Sequence, residues 1–321
     1  MVGATGQLGT AVVRKLVASR HDVRAFVRPA SHHQHLRGPG VELAFGDLRD
    51  SKSVDAACAD VETVIATANV VIPQGSYTFD ASERQGYENL VAACRRSNVR
   101  QFVFMSVPVT PYDDKVPTFR LKRRIEQLIE RSGIPYTVFR GSLFMDDWLA
   151  LIGSSIPLRG AEAATLRRGF WFSRLFLDAV DDLIEGRGLA LVPGSGKTRH
   201  AFVALDDVAT FLAKAPGRPQ ALNEFFDLGG PETLSWNQVV DLFAKVLARP
   251  VRALHAPPAL FRLQQLLLAP LSPAASNLMG MNWIVSSVET CYDMTKVAPM
   301  FDVNLTTAEQ FLRHKLSLPP H

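Results

Sequence analysis

Cysteine is scarce: only Cys58, Cys94 and Cys291 carry a thiol, an odd number spread along 321 residues without a CxxC pair. That excludes a disulfide framework and a thiolate zinc centre, and suits small apolar fillers in a reducing, cytoplasmic setting. An excess of one charge is also missing. Lys and Arg number 35 against 31 Asp and Glu, a net charge of +4. So thin an excess suits an anionic small ligand and argues against nucleic acid, which needs a dense basic face. The opening MVGATGQLG shows neither the basic nor the apolar region of a secretory leader. From Leu263 to Val288 no charged residue occurs, long enough by itself to cross a bilayer. Pro270, Pro273, Gln264, Gln265, Asn277 and Asn282 argue against a spanning helix there. A buried helix–loop–helix is expected, with a weak interfacial membrane contact as the alternative.

What is present is ordinary globular composition, 47% hydrophobic and 21% charged, enough for about two domains or one large α/β unit. Apolar runs at Asp22–Arg28, Val41–Phe45, Thr63–Ala68, Gln101–Ser106 and Tyr136–Arg140 read as strands. Between them, amphipathic stretches at Gln7–Ser19, Ser51–Ala59, Ala81–Ser97 and Thr118–Ser132 read as helices. Such alternation means βαβ units and a parallel sheet covered on both faces. After Arg140 the rhythm loosens. Helices are expected near Leu143–Gly153, Phe172–Ile184, Ser235–Ala248 and Thr306–Lys315, and strands at Leu189–Val192, Ala201–Val203, Glu224–Leu228 and Val251–His255. These pieces look too scattered for a second core of full size and suggest a smaller cap. The fold class is therefore α/β: a Rossmann-type doubly wound parallel sheet with a smaller C-terminal α/β cap.

Gly3-Ala4-Thr5-Gly6-Gln7-Leu8-Gly9 fits GxxGxxG between a strand and a helix. The glycines permit a tight turn, a close backbone approach to a pyrophosphate, and close helix–strand packing. A glycine pattern alone is weak evidence and could mark a mere turn; here it opens a helix and βαβ alternation follows. An NAD site would place Asp or Glu after the second strand. This chain offers Arg28 instead, a partner for a 2′-phosphate, so NADP(H) is the expected cofactor. Asp47, followed by Leu48, stands where an adenine amino group could be bound.

With these residues in view, the chain resembles the atypical short-chain dehydrogenase/reductases of the NmrA-like and isoflavone-reductase-like group. GATGQLG, Arg28, Gly46-Asp47-Leu48, Asp80…Gly86…Asn89-Leu90…Ala92-Ala93 and FVFMSV at 102–107 match that pattern. So do Lys122…Glu126…Gly133-Ile134-Pro135-Tyr136-Thr137, Arg140…Phe144-Met145, Phe202-Val203…Asp206-Asp207-Val208-Ala209 and Leu228-Gly229-Gly230-Pro231. Two departures stand out. Only Met1 and Val2 precede Gly3 where the family has several apolar residues, so the first strand should be central but stunted, and a start upstream of Met1 stays open. Gly141 replaces the proline usual after the arginine.

Short-chain enzymes of the main type use Ser and Tyr-x-x-x-Lys. Four residues before Lys122 stands Thr118, so the tyrosine is absent. Tyr112 and Lys115 have the wrong spacing, in a Pro/Asp-rich loop; Tyr112 is assigned to the substrate side. Lys122 becomes the lead catalytic candidate, since a desolvated lysine can hold and release a proton near neutrality, and the resemblance implies that role. A solvated helix face with a Lys122–Glu126 ion pair is the plain alternative. Ser106 ends its strand where the usual serine sits, and both Ser106 and Lys122 are also expected to touch the cofactor. Thr67, Ala68 and Asn69 should line its ribose and nicotinamide side, while Phe144, Met145 and Trp148 should wall an apolar substrate.

Other motifs carry less. Gly194-Ser195-Gly196-Lys197-Thr198 lacks the earlier phosphate-loop glycine, Leu191 standing there, and precedes a strand. His32, His33 and His35 have no acidic or cysteine partners, so no metal site is expected. Arg167-Arg168-Gly169-Phe170-Trp171-Phe172 could be a lid, a partner surface or a basic helix start. Residues 1–141, with strands near 201–203 and 224–228 added, are expected to form the NADP-binding core, and 142–321 mainly the substrate-binding cap. An NADPH-dependent reductase of a small, largely apolar enone, carbonyl or quinone follows, as monomer or homodimer. The competing expectation, from the missing tyrosine, is a non-catalytic NADP(H)-binding sensor or assembly factor.

Overall fold

In the computed structural model, which describes residues 1–69, 73, 78–79, 84–160 and 171–318, the shortest strand is the central one. Val2 makes parallel bridges to Phe26 and to Ala66, between β1 (Val23–Val27) and β3 (Thr63–Ala66). Beyond β1 lies β2 (Val41–Phe45), parallel to it. On the other side follow β4 (Gln101–Ser106), β5 (Tyr136–Gly141) and β8 (Glu224–Leu228). Counting Val2 as strand one, the order is 3-2-1-4-5-6, that of a dinucleotide fold, with β8 beyond it. The stunted, central first strand is as expected.

All six residues of β4 are buried, because helices cover a parallel sheet on both faces. Of its polar members, Gln101 is satisfied: Nε2 donates to Thr137 Oγ1 at 3.0 Å and to Ala215 O at 3.1 Å. The connecting helices are α1 (Gln7–Ala18), α2 (Ser51–Cys58), α3 (Gly86–Arg96) and α4 (Pro117–Glu130). Tyr87, Leu90, Phe102, Phe104, Ile125 and Val138 are central to the core between sheet and helices. Cys58 and Cys94, distant in sequence, meet in that core as buried free thiols.

The chain divides into two compact units, Met1–Arg140 with Val208–Asp227, and Gly141–Asp207 with Leu228–His321. In the second, β6 (Leu189–Pro193) pairs in parallel with β10 (Arg252–Ala256), and β7 (Arg199–His200) antiparallel with β9 (Leu234–Ser235). Its helices are α5 (Met145–Leu151), α6 (Trp171–Val180), α8 (Trp236–Leu247), α9 (Pro258–Leu268), α10 (Pro273–Ser287), α11 (Val297–Met300) and α12 (Ala308–Ser317). The strand expected at 201–203 is displaced to β7, leaving Val203 a single bridge to Phe144. The sequence reading also missed α7 (Leu205–Lys214). Far from being scattered, the later elements build their own core around Leu149, Phe202, Trp236, Phe243 and Phe311. The helix–loop–helix expected at 263–288 is the α9–α10 hairpin, but it is not buried as expected: Leu263, Leu266, Leu267 and Leu271 are exposed.

Candidate functional site

An open parallel sheet binds ligands beyond its strands' C-terminal ends, where the strand order reverses. Gly3 follows Val2 at that point with φ of +84°, a left-handed conformation that side chains rarely tolerate. A Cβ there would lie 2.6 Å from Ala68 N, and one on Gly9 would lie 2.0 Å from Gly3 O. Loop, helix and β3 therefore meet at backbone distance. Gly6 caps α1 without a side-chain hydrogen bond, and no acidic residue occupies the first turn. The Gln7 side-chain oxygen is buried with no hydrogen-bond partner among the described residues. Thr5 and Leu8 are half-buried beside it. A helix N-terminus so disposed favours an anion.

The neighbouring strand ends carry the other expected residues. Arg28, exposed, directly follows β1. After β2, Asp47 accepts from the Arg49 backbone and side chain, each at 2.9 Å, so its carboxylate is already chelated by Arg49. Leu48 O takes a hydrogen bond from Asn89 Nδ2 at 2.8 Å. After β3, Thr67 N donates to Val2 O at 3.0 Å, while Ala68 O accepts from the Tyr87 hydroxyl at 2.7 Å. Asn69 is exposed.

Lys122 is 2% exposed, not solvated. Its Nζ stands 4.8 Å from the Phe104 ring centroid and 5.9 Å from that of Tyr87, and donates to Met105 O at 3.4 Å. Glu126 does not form the surface pair considered above. It is buried, bonded to Arg123 at 2.7 Å and to Arg140 at 2.8 Å. Arg123 in turn reaches Asp113 at 3.1 Å, Ser106 Oγ at 3.5 Å and Val107 O. One guanidinium thus ties the end of β4 to the loop before α4. Tyr112 lies in that loop, half-buried, and its N–H donates to Thr110 Oγ1 at 3.2 Å. Thr118, at the place of the usual tyrosine, is fully buried.

Phe144, Met145 and Trp148 belong to the second unit. Phe144 caps α5, Met145 is fully buried with its N–H on Val203 O at 2.9 Å, and Trp148 packs on Trp236 with centroids 6.3 Å apart. Asp146 bonds Leu205 N at 3.0 Å and Lys315 at 3.0 Å, holding three helices together. Beside it, burial and the Asp146 charge push Asp147 up to about 7. Asp207, buried, accepts from Thr306 N at 2.8 Å, which gives it a structural use.

A model of the NmrA-like family matches residues 1–312. The chain belongs to the NmrA-like family. It is 25% identical to the photosystem II assembly factor Ycf39 of Cyanophora paradoxa, over 82% of this chain and 73% of that protein. Phenylcoumaran benzylic ether reductase TP7 of Nicotiana tabacum is 24% identical, over 98% and 97%. Among solved structures, the NADPH complex of the Escherichia coli quinone oxidoreductase QOR2 superposes with a TM-score of 0.72 at 19% identity, covering 98% of both chains. The Rossmann-type fold expected of an NmrA-like chain is thereby shown.

Within this NmrA-like chain the roles of Arg123 and Glu126 were not legible. Arg123-Arg124 with Glu126 reads as a solvated helix face, and only the packing of α4 turns two of the three inward. Gly194–Thr198 runs directly into β7, so no helix follows it to hold phosphate. His35 Nε2 lies 3.1 Å from Thr10 Oγ1, and His33 packs on Phe45. No cluster fit to hold a metal occurs among the described residues. Asp80 and residues 167–170 lie outside those residues.

Proposed function

We propose that this chain is an NADPH-dependent reductase of a small, largely apolar substrate bearing an activated C=C, a carbonyl or a quinone, working in the cytoplasm. The observation that carries the reading is Lys122, an ammonium buried against two rings in the unit that holds the glycine cradle. Lysine is rarely so deeply buried. Bound NADPH would supply the hydride. The residues present fit it: the approach of Gly3, Gly9 and Ala68 leaves backbone alone at the sheet's switch point, and the α1 N-terminus is free of acids. Arg28 would pair with the 2′-phosphate, and Leu48, Thr67, Ala68 and Asn69 would flank the remainder.

In this reading Lys122 holds the proton that the reduced substrate takes up, and Ser106 orients the same end. Positioning of Ser106 would fall to Arg123, which Glu126 and Asp113 neutralise on two sides. The second unit would contribute Phe144, Met145 and Trp148 as an apolar wall, and Tyr112 would lie on the substrate side. Similarity to an ether reductase and a quinone oxidoreductase supports reduction as the chemistry. NADPH oxidation measured over quinones, enones and aldehydes tests it. Inactivity with all of them, despite tight NADPH binding, would leave the second reading: a dinucleotide-binding assembly factor, favoured by Thr118 in place of tyrosine and by the likeness to Ycf39.

A further inference from the structure

A turn between two helices is ordinarily polar, because its backbone and side chains face water. The α9–α10 turn is not. Leu266-Leu267-Leu268-Ala269-Pro270-Leu271 is wholly apolar, and its leucines are exposed except for the half-buried Leu268. Leu260 is 42% exposed, Leu263 54%, Leu266 56%, Leu267 62% and Leu271 79%. Five leucines thus face solvent along α9 and the turn after it.

Charge adds a second, independent observation. Between Asp241 and Glu289 the chain has no acidic residue, while Lys245, Arg249, Arg252 and Arg262 are basic. Lys245 is paired to Glu309 and Arg249 bonds the carbonyl of Glu185. Arg252 is exposed on β10, which leads directly into α9. The Arg262 guanidinium lies 4.5 Å from the Trp283 ring centroid, a cation and an indole stacked farther from the tip than the leucines of the turn. Apolar tip, aromatic and arginine behind it, and no acid anywhere near in sequence form the layered chemistry of an element resting in a bilayer interface. Anionic headgroups would meet the arginines while the leucines enter the acyl boundary. The described residues contain no helix long and apolar enough to cross a membrane.

We infer that the α9–α10 hairpin is a monotopic docking element that seats the second unit on an anionic lipid surface through Leu266, Leu267 and Leu271, with Arg252 and Arg262 at the headgroups. A fluid surface needs no shape complementarity, so exposed leucines with arginines behind them and no acid nearby in sequence suit anionic lipid.

Flotation of the full-length protein with vesicles of phosphatidylcholine containing one third phosphatidylglycerol tests the inference. The wild type should float with these vesicles, and much less with phosphatidylcholine alone or at high salt. The Leu267→Asp/Leu271→Asp variant changes side chains already facing solvent and should partition at least tenfold less, with unaltered circular dichroism and melting. Arg252→Glu should lower partitioning to anionic vesicles severalfold and leave that to neutral ones unchanged. Equal flotation of wild type and the leucine variant, or no flotation with anionic vesicles, would overturn the inference. So would light scattering that shows a lipid-independent dimer dissolved by the same double variant, since the leucines would then join two copies.

Discussion

The α-carbon of Gly9 faces the carbonyl oxygen of Gly3 so closely that an added methyl group would lie 2.0 Å from it. Helix α1 and the loop before it therefore share one rigid geometry. Gly9→Ala must push the helix off the loop, an overpacking cost of about 1–3 kcal/mol. The melting temperature should fall, and calorimetric NADPH affinity should drop at least tenfold, because the displaced amides no longer converge. Unchanged affinity would show that the cradle does not hold the dinucleotide.

Arg28 separates the two nicotinamide cofactors. A charge-assisted hydrogen bond to phosphate contributes about 1.5–3 kcal/mol, so Arg28→Glu should weaken NADPH binding roughly tenfold to a hundredfold or more. NADH, lacking the 2′-phosphate, should bind nearly as before. Fluorescence titration of both is the check, and equal losses would remove the 2′-phosphate assignment.

Lys122→Met keeps the buried stem and deletes the proton. In single-turnover reduction the rate should fall about 10²-fold or more, the usual contribution of a positioned proton donor. Circular dichroism should be unchanged. A change under threefold would make Lys122 a packing residue.

Glu126 is buried between Arg123 and Arg140. Removing the acid takes the Glu126 charge from both guanidinium groups while Asp113 still pairs Arg123, so Glu126→Ala should destabilise by about 3 kcal/mol. Denaturant unfolding measures it. Glu126→Asp should recover part of the loss, since the charge survives.

Two groups in the second unit give stability opposite pH trends. His200 bonds Thr290 Oγ1 at 2.9 Å and Val285 O at 3.0 Å, and burial lowers its pKa from 6.5 to about 4. The unfolded chain then binds the proton first, so stability falls as pH drops from about 6.5 to 4, by roughly 3 kcal/mol. Asp147 is raised from 3.8 to about 7. Its native form keeps the proton, so its contribution is present at low pH and lost as pH rises toward 7. Melting curves from pH 4 to 8 should find Asp147→Asn more stable than wild type at pH 8, the two converging near pH 4. His200→Gln should melt lower and lose the acid slope, and pH-independent differences would contradict both assignments.

Sequence alone determined the alternation of strands and helices, the glycine loop and the basic residue after β1. Each is local: periodicities of two and 3.6, a turn that tolerates no side chain, and a single charge at a strand end. Only the tertiary structure decided that Lys122 faces two rings while Arg123 and Glu126 turn inward to Arg140, because helix rotation depends on what packs against it. It also gave the later elements a core of their own, which depends on contacts between Phe202, Trp236 and Phe311, far apart in the chain. Long-range burial settles such matters, and a local pattern holds no record of it.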